Sequence, residues 1–175
     1  MAYDLRKLSI NDGMDVYEML QQIPLDENGF INEVKEKTYE EYRQWLIQCN
    51  ADAEQEGVVD GWKVPQTTYW LFVNNVPVGM GKIRHFLTDK LLEDGGSIGY
   101  SICSSERGKG YGMILLAGLL QECRKLNIEK VLLTIEKNNI PSIKIALANG
   151  GMIEKSSDVL HYVWIDCAVH GHKSP

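Results

Sequence analysis

At 175 residues and 19.8 kDa the chain has the length of one domain, spanning residues 1–175, with room for a sizeable core. Its 44% apolar fraction is that of a globular protein, and no apolar run approaches the roughly 20 residues of a bilayer span. A net charge of −6 disfavours nucleic-acid and anionic-membrane partners, which require clustered Lys and Arg. Cys49, Cys103, Cys123 and Cys167 are far apart, with no Cys-x-x-Cys pair. Neither a metal site nor a disulfide framework is therefore expected, and reduced thiols suit the cytoplasm. The opening Met-Ala-Tyr-Asp-Leu-Arg-Lys-Leu carries an acid and no uninterrupted apolar run, so no signal peptide is expected.

In chain order, Tyr3 to Leu8 reads as a first strand. Val16, Met19, Leu20 and Ile23 fall at helical spacing and predict a helix over about Gly13–Gln22. Pro24 to Lys37 reads as a loop with a turn at Asn28-Gly29. Thr38-Tyr39-Glu40-Glu41 has the form of a capping box, and Tyr42, Trp45, Leu46 and Cys49 continue one apolar stripe towards Gly57. Thr67–Val73 and Val76–Arg84, joined by Asn74-Asn75, predict a hairpin. A polar turn or loop over Leu87–Gly95 precedes a strand at Ser97–Ile102. A helix then runs to about Leu126, followed by the strand Val131–Ile135. Pro141 suits the first turn of another helix, which ends at Gly150-Gly151. Met152–Lys155 and Val159–Ile165 are the last strands, and His170 and His172 lie in a polar tail. This order suggests an α/β (α+β) mixed sheet with helices on both faces.

The densest signal is Arg107-Gly108-Lys109-Gly110-Tyr111-Gly112, between a strand and a helix. Three glycines let the backbone bend tightly and bring its N–H groups close to an anion. The following helix aims its unpaired amides and positive dipole end at the same place. The result is a phosphate cradle. A Walker loop would need Lys-Ser or Lys-Thr after the last glycine, where Met113 stands. A dinucleotide fingerprint would need glycine at Met113 or Leu115. The pattern that fits is Arg-x-x-Gly-x-Gly, on Arg107, Gly110 and Gly112. A second motif starts at Asn139-Ile140-Pro141-Ser142 and closes on Gly150-Gly151.

With both motifs in this order of elements, nearly the whole chain resembles the GNAT superfamily of N-acetyltransferases. The resemblance implies a mixed, mostly antiparallel central sheet with helices on both faces, and transfer of acetyl from acetyl-CoA to an amine acceptor. It implies that the amides of Gly108, Lys109, Gly110, Tyr111 and Gly112 hold the CoA pyrophosphate, with positive charge from Arg107. The backbone of Ser101, Ile102 and Cys103 would pair with the pantetheine arm as one strand pairs with another. A backbone N–H in that region would polarise the thioester carbonyl. Asn138, Asn139 and Ser142 would contact the cofactor from the opposite side. No metal is implied, and a homodimer is left open.

Two departures from the family pattern leave the proton-transfer groups unassigned. The tyrosine found in many members seven residues after the helix-starting Asn is Ala146 here. A carboxylate common near the start of the preceding strand is replaced by Ser97 and Ile98. Tyr162, His161, Tyr100 and His85 are the remaining candidates, while Cys103 reads as a small apolar residue. Between Pro24 and Asp60 ten acids (Asp26, Glu27, Glu33, Glu36, Glu40, Glu41, Asp52, Glu54, Glu56, Asp60) face three bases (Lys35, Lys37, Arg43). They read either as a solvated helical face or as a rim favouring a cationic small-molecule acceptor. The missing tyrosine also admits a rival: an acyl-CoA-binding sensor without turnover.

Overall fold

A computed structural model describes residues 1–54 and 60–168. The predicted end of the second helix near Gly57, and His170 and His172, lie outside the described residues. Strands β1 (Tyr3–Lys7), β4 (Gln66–Val73), β5 (Val76–Arg84) and β6 (Ile98–Ile102) form a four-stranded antiparallel sheet in the order β1-β4-β5-β6. Strands β7 (Lys130–Glu136), β8 (Met152–Ser156) and β9 (Leu160–Asp166) form a second antiparallel group in the order β7-β9-β8. The hairpin turn at Asn74 and Asn75 has both residues at positive φ, the twist that suits a two-residue connection.

Helices cover both faces. α1 (Met14–Gln21) and α2 (Tyr39–Glu54) pack Val16, Met19, Leu20, Tyr42, Trp45 and Leu46 against Trp70, Phe72 and Met80. α4 (Tyr111–Lys125) and α5 (Ile140–Ala148) cover the other face, where Leu115, Leu116, Leu119 and Cys123 meet Tyr69, Leu71, Ile83, Val131 and Val163. The capping box is formed: Thr38 N–H donates to Glu41 at 2.7 Å and Glu41 N–H to the Thr38 hydroxyl at 3.2 Å.

Two segments differ from their predicted form. The expected loop over Pro24–Lys37 contains a small antiparallel hairpin, β2 (Asp26–Glu27) and β3 (Phe30–Ile31), around a turn in which Asn28 and Gly29 both have positive φ. Buried Asn32 fixes its exit, its amide donating to the carbonyls of Leu20 and Ile23 at 2.8 and 2.9 Å. The polar stretch before β6 holds a short helix, α3 (Asp89–Glu93), capped by Thr88. Both are too short for apolar periodicity to reveal them.

The two strand groups meet at one seam. Ser97 N–H donates to Leu132 C=O at 2.7 Å, and Leu132 N–H returns a bond to the Ser97 hydroxyl at 2.9 Å. Gly96 makes this approach possible. Its φ is +61°, and a Cβ there would stand 2.5 Å from the Leu132 carbonyl oxygen. Beyond the seam β6 is paired with β5, and its β7-facing edge has no strand partner among the described residues.

Burial pushes the thiols of Cys49 in α2 and Cys123 in α4 up to about 12, from 9.0. In the unfolded chain these thiols ionise near the lower value, while the fold resists ionisation. The stability they contribute is present below pH 9.0 and is lost as pH rises towards 12. In reducing buffer the melting temperature should therefore fall steadily across that interval. Scanning calorimetry of Cys123→Ala should give a shallower slope; an unchanged slope would remove this explanation.

Candidate active site

The free edge of β6 is the starting point. Backbone groups alternate sides along a strand. Ser97 C=O and Cys103 N–H bond to Arg84 and Val78 of the β5 side. By the same alternation Ser101 faces β5, whereas the peptide groups of Ile98, Tyr100 and Ile102 face the opening towards β7. Of the predicted trio Ser101, Ile102 and Cys103, only Ile102 offers its backbone to the opening, and its carbonyl already accepts a bond from Arg107 Nε at 3.0 Å. Tyr100, which the sequence suggests for its side chain, stands there with its peptide groups as well.

The strand leads into the glycine bend. Gly108 and Gly110 have φ of +76° and +84°, and a Cβ at either would meet nothing within 4 Å. Gly110 is the residue preceding α4 and places no side chain over it, and the first turn has no acidic residue. The amides of Tyr111, Gly112 and Met113 have no hydrogen-bond acceptor among the described residues. An open bend at the amino end of a 15-residue helix fits an anion such as a diphosphate. Gly112 serves differently: a Cβ there would stand 2.7 Å from Ile145 Cδ1, so its absence lets α4 and α5 approach.

The cations beside the bend are engaged. Arg107 makes a two-pronged pair with Glu27 of β2, at 2.8 and 3.1 Å, and Lys109 pairs with Glu106 at 2.9 Å. Exposed pairs of this kind are worth about 0–1 kcal/mol, so a bound anion can displace the carboxylates readily.

Across the opening, Asn139 caps α5, its side chain accepting from Ser142 N–H at 3.4 Å, and Asn138 beside it is exposed. The Ser142 hydroxyl lies 3.0 Å from the Tyr100 phenol, a bond that spans from β6 to α5. Burial raises the Tyr100 pKa, against a smaller opposing effect of its bond to Ser142. The other proton-transfer candidates lie elsewhere. Tyr162 donates to Glu93 C=O at 2.7 Å, His161 is 2.6 Å from the Ser156 hydroxyl, and His85 is 2.7 Å from the Thr67 hydroxyl. Burial, with Lys7 nearby, lowers the His85 pKa. The structure brings Tyr100 and Ser142 together with the free edge and does not bring His85, His161 or Tyr162 into that group.

On the opposite face of β6, Phe30 of the small hairpin lies against Gly99, where a Cβ would stand 3.3 Å from its ring. Next to Gly99 on β5, Lys82 Nζ donates to Ile31 C=O at 3.2 Å and sits 5.3 Å from the Phe30 ring centroid. Glu27, Phe30 and Lys82 carry no motif. They meet only because the hairpin lies over β6.

The family profile for the acetyltransferase (GNAT) domain matches residues 4–152. The chain belongs to the GNAT family. Acetyl transfer from acetyl-CoA is therefore the reaction class of this GNAT domain. Among solved structures it is similar to Campylobacter jejuni N-acetyltransferase PseH in complex with acetyl coenzyme A, at 12% identity and a TM-score of 0.62, over 95% of this chain and 100% of that one. The RimL ribosomal L7/L12 alpha-N-protein acetyltransferase, in complex with coenzyme A, matches at 16% identity and 0.67, covering 96% and 97%. The microcin C7 self-immunity acetyltransferase MccE, with acetyl-CoA and AMP, matches at 14% and 0.68, covering 94% and 92%. At these identities the likeness is one of fold. A search of curated sequences finds no match. No helix among the described residues is long and apolar enough to cross a membrane.

All four cysteines of this GNAT domain are buried, and burial raises the Cys103 thiol as well. Iodoacetamide at pH 8 should leave Cys103 unmodified in the folded protein and label it after unfolding in urea. Rapid native labelling, seen by mass spectrometry, would contradict this packing.

Proposed function

We propose that the free edge of β6 and the amides of Gly108 to Gly112 form one continuous acetyl-CoA site serving an amine N-acetyltransferase. The observation that carries this reading is the unpaired edge at Tyr100 running directly into an open, side-chain-free bend at the start of α4. The fit is chemical as well as steric. A diphosphate needs converging N–H donors, and the amide-bearing pantetheine arm needs a strand edge. Ser142 reaches that edge through Tyr100, and Asn138 and Asn139 at the start of α5 would contact the cofactor from the same side.

Bound there, acetyl-CoA supplies the activated acyl group. The Tyr100 N–H, aimed into the opening, is placed to stabilise charge on the reacting carbonyl oxygen. The neutral nitrogen forms the C–N bond as the C–S bond breaks, releasing one proton to solvent, and the departing sulfur gains one. Tyr100 is the titratable candidate that lines the opening, and its phenol, protonated at neutral pH, can donate to the sulfur. The acceptor approaches over the other face of β6, beneath the β2–β3 hairpin and α2. Glu33, Asp52 and Asp60 of the acidic stretch line that face beside the cations Lys63, Lys82 and Arg84, so an acceptor there meets both signs of charge.

Two measurements test this. Gly110→Val should weaken acetyl-CoA binding by about tenfold or more, since a branched side chain both fills the bend and resists its positive φ, a strain of roughly 1–2 kcal/mol. Calorimetry on protein shown to be folded by circular dichroism reads this; unchanged affinity would falsify the cradle. Tyr100→Phe should lower kcat about a hundredfold, within the range of a lost general acid, while acetyl-CoA still binds. Equal CoA release by both proteins would remove Tyr100 from that role. Tight acetyl-CoA binding with no release against any amine would favour the sensor instead.

A further inference from the structure

A cleft of about 380 Å³ opens on the acceptor face, lined by Glu33, Trp45, Asp52, Trp62, Lys82 and Arg84 among others. That volume lies in the range of small-molecule sites, roughly 300–1,000 Å³. Most of its charged groups are satisfied within the chain. Glu33 accepts from the Trp45 indole at 2.9 Å and Asp52 from Gln48 at 2.9 Å. Asp60 accepts the amides of Trp62 and Lys63 at 2.9 Å. Arg84 gives Nη1 to the carbonyls of Gly95 and Gly96 at 3.0 Å. Lys63 is exposed at the mouth.

Lys82 differs. It is half-buried, it donates to the Ile31 carbonyl, and no carboxylate lies within 4.0 Å of it among the described residues. An ammonium has three donors, so two remain for a ligand. Withdrawal from water lowers its pKa, with the Glu33 carboxylate opposing, which is the signature of a charge lacking full compensation. It also stands in register with Gly99, one strand from the free edge proposed to hold the thioester. Adjacent strands are about 4.8 Å apart, so a carboxylate held by the flexible Lys82 stem lies within a small molecule's length of the reacting carbon.

We infer that this cleft selects acceptors that carry a carboxylate close to the reacting amine, as in an α- or β-amino acid, and that Lys82 binds that carboxylate. The inference rests on the acetyl-transfer reading above. Among the described residues three carboxylates (Glu33, Asp52, Asp60) and three cations (Lys63, Lys82, Arg84) line the cleft, which suits a monoanion better than a dianionic phosphate.

The test uses the whole chain saturated with CoA, titrated by calorimetry with matched probes: α- and β-amino acids, their amides, and their phosphonate analogues. Carboxylates should bind about tenfold more tightly than amides, the increment of one charge-assisted hydrogen bond. Lys82→Met should erase that difference and Lys82→Arg should keep most of it. With acetyl-CoA, the carboxylate probes should show a raised KM in Lys82→Met with little change in kcat. Parity in the wild-type protein, binding of no carboxylate probe, a preference for phosphonates, or a difference that survives Lys82→Met would each overturn the proposal. So would an equal loss of kcat on acids and amides, which would make Lys82 a base or a structural prop. Acetyl-CoA affinity, measured separately, reports on the β6–α4 site and separates failure of that reading from failure of this one.

Discussion

Ser97 and Leu132 exchange two hydrogen bonds, and that short seam governs what the domain can do. It holds the β1-β4-β5-β6 sheet to the β7-β9-β8 group at one end. Beyond it the β6 edge stays open. A fully paired sheet would have spent the peptide groups of Tyr100 and Ile102 on a neighbouring strand. The seam needs an unusually close backbone approach, which Gly96 permits by carrying no Cβ and by accepting a left-handed conformation. The opening is then bridged by a side-chain contact, Tyr100 to Ser142, that polar ligands can exchange for their own.

Electrostatics are arranged around exchange in the same way. Arg107 and Lys109 are paired with Glu27 and Glu106 on the surface, where such pairs cost little to part. The helix amides need no exchange, because no side chain among the described residues occupies them. The small β2–β3 hairpin makes three contacts across this region: Glu27 reaches Arg107, Phe30 lies on Gly99, and Ile31 receives Lys82. The glycine bend, β6 and the Lys82 cleft therefore share one short structural element.

Much of the architecture was legible in the residues. Periodicity located both amphipathic helices, α1 and α2, and the long helix after the glycines. The Asn74-Asn75 turn and the Thr38–Glu41 capping box appear as expected, because each depends on local chemistry alone. The β2–β3 hairpin and α3 were not legible. Two- and five-residue elements generate no period, and tertiary contacts such as Asn32 to Leu20 and Ile23 hold the hairpin in place.

The same division runs through the site. Sequence alone determined the bend of Gly108 to Gly112, the helix behind it and the Asn139 cap. These are short-range consequences of backbone freedom and unpaired amides, and they suffice to point to the GNAT family. Only the tertiary structure decided that Tyr100 rather than Ser101 or Cys103 presents its peptide groups to the opening, because strand register sets which edge each residue faces. It likewise decided that Arg107 is held by Glu27 and that Lys82 stands in the cleft with donors to spare. Those facts join residues between 17 and 80 positions apart, and no local pattern encodes which distant partner a charge will meet.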